Sequence, residues 1–250
     1  MEQLEGRISV EAALIARQRK ISLIVIRAGM HEKNVKFILD EAEAQAIPVK
    51  HATREEIDAM AKGVTHGGVI ALASPKLPLT SERFLDQLKQ PTNPVILLLL
   101  EGVDDEQNFG FTLRTAEAMG VHAVLLKKHL WDFDGNVVSR ASSGAFERLA
   151  LVQIDNADKI MPKLRLLGIR SYGCIANAKR SMYDVDLSDS VLLAIGGEKR
   201  GLSAAVRNHC DTFIHIPMLS DIGSLSLGHA ASILMAEAMR QRMKETLQSN

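Results

Sequence analysis

Three short loops, each following an apolar run, hold most of the residues in this chain whose types and spacing suit chemistry. Asp104-Asp105-Glu106-Gln107-Asn108-Phe109-Gly110 follows Val95–Leu100, and Gly196-Gly197-Glu198-Lys199-Arg200-Gly201-Leu202 follows Val191–Ile195. The third, Ile216-Pro217-Met218, runs on to Ser224-Leu225. Loops at the carboxyl ends of parallel strands are where open α/β sheets bind ligands. Three of them carrying Asn, Arg, Glu and Ser predict one composite site.

Each loop also has a plainer reading. Asn108 and Gly110 precede a helical stretch bearing Arg114; a loop entering a helix offers free backbone N–H groups to an anion such as phosphate. Arg114, about one turn in, would add a bidentate cation. Alternatively, Asn108 caps the helix and Arg114 is a surface charge. The Gly196–Leu202 loop lacks the Gly-Lys-Ser/Thr ending of a phosphate loop, and no G-x-G-x-x-G occurs in the chain. Its backbone suits close approach to a flat ligand such as adenine, with Glu198 accepting hydrogen bonds or orienting Arg114. Its alternative is a strand-to-helix turn with Glu198 in the first helical turn. Ser224 is a good N-cap for the long final helix. His66, in Val64-Thr65-His66-Gly67-Gly68, is either functional or a turn residue before a strand. No histidine or cysteine spacing matches a zinc site, and G-x-S-x-G is absent.

These loops need strands and helices to hold them. Apolar runs near Val95–Leu100, Val121–Leu126, Leu149–Val152, Ser171–Ile175, Val191–Ile195 and Thr212–Ile216 alternate with helical stretches around Phe111–Met119, Lys159–Leu167 and Ser203–His209. The last helix is predicted to begin near Ser224 and run toward Gln248. Strands this apolar, separated by helices, predict a mostly parallel sheet covered on both faces. Ahead of them lies a small α/β unit. Its predicted elements are a helix capped by Ser9 and ending at Gln18, a β-branched run Ile21–Ile26, a helix over Lys33–Ala46 and a strand from Pro48. Helix Glu55–Ala61 and strand Val69–Ala73 complete it. Pro75, Pro78, Pro91 and Pro94 are four of the seven prolines and bracket the amphipathic Ser81–Gln90, which marks a linker. The resulting division is 1–74, 75–93 and 94–250.

A chain of 250 residues, 46% apolar, is long enough for a substantial core. Thirty Lys plus Arg balance thirty Asp plus Glu, so any polyanion must be bound by local patches rather than net charge. Two unpaired cysteines, an N-terminus without a signal-peptide pattern and no apolar run of membrane-spanning length lead to the expectation of a cytoplasmic protein.

Taken in order, Asn108-x-Gly110-x3-Arg114-Thr115-Ala116, Gly196-x-Glu198-x2-Gly201-Leu202, then Ile216-Pro217-Met218 with Ser224-Leu225 resemble the three motifs of the SpoU/TrmH family of SPOUT-class RNA 2′-O-ribose methyltransferases. The resemblance covers about residues 94–243. The N-terminal segment, with His66-Gly67-Gly68 before a strand, is similar to the L30e-like substrate domain of the rRNA-modifying branch. The resemblance implies an α/β SPOUT domain with a trefoil knot, S-adenosylmethionine as cofactor and a homodimer; the scattered histidines already lead to no expected metal. Its implied substrate is a structured RNA, with rRNA favoured over tRNA. It further implies that Gly196, Gly197, Gly201, Ile216, Met218 and Leu225 surround the cofactor. Arg114 would then bind RNA phosphate and help activate the ribose hydroxyl, with Asn108, Glu198 and Ser224 as its positioning partners. The terminal helix, with Ala230, Ile233, Leu234 and Ala238 at helical spacing, is an expected interface element. Two departures stand out: Ser224-Leu225-Ser226 replaces the family's Ser-Leu-Asn, and Ser220 stands where Gly is usual. They keep open a non-catalytic RNA-binding module, for which Arg17, Arg19, Lys20, Lys33 and Lys36 are candidate phosphate contacts. A nucleotide-dependent enzyme using Gly196–Gly201 as a phosphate loop is a third reading.

Overall fold

A computed structural model of the chain describes residues 1–63, 66–88, 93–197, 199–220 and 223–248. In chain order its elements begin β1 (Glu2–Glu5), α1 (Arg7–Ala16), β2 (Ile21–Arg27), α2 (Glu32–Ala44), β3 (Val49–Ala52), α3 (Arg54–Met60), β4 (Val69–Ala73), β5 (Leu79–Thr80) and α4 (Ser81–Leu88). They continue with β6 (Ile96–Glu101), α5 (Glu106–Ala118), β7 (Ala123–Lys127), α6 (Gly135–Ala141), α7 (Ala145–Arg148), β8 (Ala150–Ile154) and α8 (Ala157–Leu166). Last come β9 (Arg170–Cys174), β10 (Arg180–Ser181), β11 (Val191–Gly196), α9 (Ala204–His209), β12 (Thr212–His215) and α10 (Leu227–Gln248). These elements form two compact units: Met1–Leu77 with Asp134–Arg148, and Pro78–Phe133 with Leu149–Asn250.

The larger unit is built on an eight-stranded sheet in the order β10-β12-β9-β11-β6-β7-β8-β5, with every pairing parallel. Its centre reads as unbroken apolar runs because both faces are covered. All six residues of β6 are buried. Leu97, Leu99, Leu125, Val152, Leu192 and Ala194 share one cluster with Phe84, Leu85 and Leu88 of α4 and Ile160, Met161 and Leu164 of α8. Each such leucine contributes about 1.5–3 kcal/mol by leaving water. The β6–β11 register pairs Glu101 with Gly196, which brings the two strand ends and their loops side by side.

The smaller unit has a four-stranded sheet, β1-β4-β2-β3, in which only β2 and β3 run parallel. Its first helix starts earlier than the sequence predicts. Gly6 (φ 95°) is the N-cap, and Ser9 is buried inside the helix rather than capping it. The helix stops at Arg17, whose left-handed backbone (φ 51°) ends it short of Gln18. His66 closes the turn into β4. Its Nδ1 accepts the Gly68 N–H at 3.2 Å and its Nε2 lies 2.9 Å from Asp58, while Gly67 and Gly68 take positive φ. Arg19, a candidate phosphate contact by sequence, is withdrawn from solvent: its guanidinium meets Glu147 at 2.8 and 3.0 Å and Glu2 at 2.6 Å. Arg17 pairs with Glu41 at 3.2 Å and Lys36 with Asp40 at 3.0 Å, both in exposed positions.

Candidate active site

The loops after β6, β11 and β12 meet at the carboxyl edge of the parallel sheet. Gly196 and Gly197 are required there by close approach. A Cβ on Gly196 would run into the backbone of Gly201 and Leu202, and one on Gly197 would meet the Gly102 carbonyl. The Gly201 N–H bonds the Gly197 carbonyl at 2.8 Å and closes a tight turn, with Gly201 at φ 60°. Glu101 fastens the neighbouring loops. This carboxylate is only 4% exposed, and it accepts the Ser203 N–H at 2.7 Å and the Ser203 hydroxyl at 2.9 Å. It also pairs with Lys127 at the end of β7. Sequence reading missed Glu101; the available signal was an acid ending an otherwise wholly apolar strand.

Beside this turn lies a hollow of about 200 Å³. Gly196, Gly197 and Gly201 line it, together with Ile216, Met218, Ser224 and Leu225. Ile195, Leu227 and Ala230 supply further apolar wall, and Cys174 a thiol. Burial pushes the Cys174 thiol up to about 11, so at neutral pH it stays protonated and is a poor nucleophile. Apolar walls with exposed glycine backbone fit a flat heteroaromatic base, and a protonated thiol is compatible with an electrophilic alkyl donor.

The remaining predicted residues fall elsewhere. Asn108 and Arg114 are exposed on α5 and are not among the residues lining the hollow. Helix α5 begins at Glu106, so Asn108 and Gly110 lie within it rather than ahead of it. The cap is Asp105, whose side chain accepts the Asn108 N–H at 2.8 Å and the Asn108 amide at 2.5 Å. An Asp accepts from the third helical N–H as well as an Asn does, which moves the boundary upstream. The Arg114 side chain makes no ion pair or hydrogen bond among the described residues. Glu198 lies outside the described residues.

The long helix likewise begins at Leu227, not near Ser224. Ser226 takes the cap position: its carbonyl accepts from Ala230 N–H at 2.9 Å, and its hydroxyl lies 2.6 Å from His229 Nδ1. Ser224 is thereby free to line the hollow. Of the four residues expected at an interface, Ala230, Leu234 and Ala238 are buried against this chain's own core, while Ile233 is half-buried.

Residues 95–236 match the model of the SpoU rRNA methylase family, and residues 3–79 match the RNA 2′-O ribose methyltransferase substrate-binding model. The chain belongs to the SpoU rRNA methylase family. It is 33% identical over 242 residues to the 23S rRNA (guanosine-2′-O-)-methyltransferase RlmB of Pseudomonas aeruginosa, covering 96% of this chain and 97% of the relative. The fold matches the SpoU methyltransferase AviRb of Streptomyces viridochromogenes with a TM-score of 0.78 at 21% identity, over 98% of this chain and 90% of that one. The same protein in complex with the cofactor AdoMet matches at 0.77, again at 21% identity, over 97% and 90%. Within this SpoU chain, the motif residues of the second and third loops converge on one hollow, whereas Asn108 and Arg114 of the first project from α5. No helix among the described residues is long and apolar enough to cross a membrane.

Proposed function

We propose that this SpoU-family chain transfers a methyl group from S-adenosylmethionine to a ribose 2′-hydroxyl of ribosomal RNA. The observation that carries the reading is the single hollow lined by Gly196, Gly197, Gly201, Ile216, Met218, Ser224 and Leu225, in a chain of this family. Near-full-length similarity to a relative named as a 23S rRNA guanosine 2′-O-methyltransferase supports rRNA over tRNA. When bound, the cofactor supplies an electrophilic methyl group on a sulfonium.

The chain's own residues do the positioning. Glycine backbone at 196, 197 and 201 and the side chains of Ile216, Met218 and Leu225 hold the adenosine. Asn108, Glu198 and Ser224 orient the acceptor. A guanidinium is in general a poor base. The part of Arg114 is electrostatic: it binds RNA phosphate and stabilises the oxyanion developing on the ribose. Alignment of oxygen, methyl carbon and sulfur accounts for the rest of the rate. The smaller unit, Met1–Leu77 with Asp134–Arg148, serves as the RNA-binding part, and the larger unit as the catalytic part with its trefoil knot. The enzyme works as a cytoplasmic homodimer without a metal.

The test is transfer of labelled methyl to unmodified 23S rRNA, followed by mapping of the methylated ribose. Arg114→Ala should lower the rate on the order of a hundredfold or more, the usual cost of losing a preorganised electrostatic group. One observation favours a second reading. Ser226 cannot reproduce the donor-plus-acceptor amide of the family's Asn, and its hydroxyl is engaged by His229. Cofactor binding without transfer to any RNA would therefore identify a non-catalytic RNA-binding module.

A further inference from the structure

We infer that a second hollow at the Gly197–Gly201 turn grips an RNA phosphodiester flanking the ribose to be methylated, through Arg200 and Lys199. This rests on the proposed activity and adds residues that no motif assigns. The hollow encloses about 520 Å³, and its lining includes the carboxylates Glu101 and Asp104 and the cations Lys127, Lys199 and Arg200. It shares Gly197 and Gly201 with the first hollow, so one glycine turn borders both.

The sheet order favours a ligand at this place. β6 and β11 are neighbours, yet from β6 the chain goes on to β7 on the far side, while β9 flanks β11 on the other. The carboxyl ends of β6 and β11 therefore frame the point where strand order reverses, the preferred ligand crevice of an open parallel sheet. The local charge favours an anion. The buried Glu101 is answered by Lys127 and by both Ser203 donors, so neither Glu101 nor Lys127 has much field to spare. Asp104 and Lys199 sit 3.9 Å apart with exposed side chains, where solvent screens the pair. Arg200 is exposed and has no hydrogen bond or ion pair among the described residues. Among the described residues the surplus is thus a free guanidinium, with an ammonium beside it, on a loop pinned by close-packed glycines. A planar fork of donors matches phosphate oxygens bidentately. In a chain whose formal charge is zero, polyanion binding has to come from such local surpluses. The two hollows also differ in kind: the first has apolar walls suited to a base, and the second presents cations suited to a backbone.

The experiment compares the full-length wild type with Arg200→Gln and with Lys199→Gln/Arg200→Gln, changes confined to exposed loop positions. Lys127 is left intact because its loss would strand the buried Glu101. An unmodified 23S rRNA transcript is the probe. Its affinity is measured across a salt series, S-adenosylmethionine affinity by calorimetry, and methyl transfer by label. The double variant should keep cofactor affinity within about twofold and raise the RNA KM about tenfold, with kcat changed less than about threefold. The slope of log affinity against log salt should fall by roughly 0.7–0.9 for each phosphate that the variant no longer neutralises. An unchanged RNA affinity and slope would overturn the inference, and so would loss of cofactor binding in step with RNA binding. A wild type that binds the transcript but transfers no methyl would defeat the activity while the slope still decides the phosphate grip. A wild type that binds no RNA overturns both.

Discussion

The two units bury their interiors by different means. At the centre of the eight-stranded sheet, Ile96, Leu97, Leu98, Leu99 and Leu100 are all within 2% of complete burial, and their neighbours Val124, Leu125, Leu192 and Leu193 are equally apolar. The smaller unit has an apolar core too, around Ile24, Ile26, Ile38 and Val69, but it adds a cluster of buried charges. Glu147 (0% exposed) receives Arg19 (7%), while Lys76 (7%) donates to the carbonyls of Phe146 and Glu147. Glu5, also fully buried, accepts from the backbone N–H groups of Lys62 at 2.6 Å and Gly63 at 3.2 Å and faces Arg140 at 3.6 Å. An apolar core tolerates any partner of the right size. A buried ion cluster is satisfied only by the right partner in the right place, here the 134–148 segment. Because desolvation offsets attraction in such a cluster, its presence says little about net stability, whereas removing one partner is costly.

That contrast can be broken from either side. Glu147→Gln should be the costliest single change, destabilising by about 3–5 kcal/mol, because Arg19 would keep only the half-exposed Glu2 as a carboxylate and Lys76 would lose the negative charge nearby. Urea unfolding of the full chain, followed by probes in each unit, is the measurement. A loss under about 1 kcal/mol would mean that water reaches Arg19 and that the cluster is a surface feature. Leu98→Ala in β6 should cost somewhat less, about 3 kcal/mol, as a cavity in a packed sheet. It should do so without pH dependence. If the two changes ranked the other way, the smaller unit would be held by its apolar core alone.

How much of this was legible in the sequence follows the same divide. The six strands predicted between residues 95 and 216 all exist, with ends displaced by at most two residues, because a strand buried on both faces reads directly as an apolar run. The site loops were legible for the same reason: glycines and polar residues punctuate those runs. β1 (Glu-Gln-Leu-Glu) carries no such pattern, and its strand character comes from backbone pairing with β4, about seventy residues on. The helices α6 and α7 were missed as well. They are short, and their anchors are long-range: Asn136 accepts the Glu5 N–H at 3.0 Å, and Glu147 holds Arg19 across 128 positions. Arg19 itself looked like a surface cation because nothing local announces its partner. Glu101 had a local cue, but its role as the fastener of three loops needed Lys127 and Ser203, which only the sheet register brings near.

The smallest of the expected effects probes the ion cluster by pH. Burial pushes the Lys76 ammonium down to about 8 from its ordinary 10.5, against Glu147, which raises it, and together with Arg19, which lowers it further. Below pH 8 both folded and unfolded chains hold this proton, and the cost of burying the charge is present in full. Between about pH 8 and 10.5 the unfolded chain holds the proton and the folded one releases it. The unfolded state then binds more protons, so stability rises with pH through that window. The full recovery is on the order of 3 kcal/mol. Lys76→Met has no such group, and subtracting its unfolding free energy from that of the wild type at each pH removes the titrations the two share. The difference should climb in favour of the wild type from about pH 7.5 to about pH 10. A difference that stays flat would place Lys76 in water, and one that falls would mean that Glu147 outweighs burial. Only the flat result would remove the lysine from the cluster and leave Glu147 to Arg19; a fall would bind it to Glu147 more firmly.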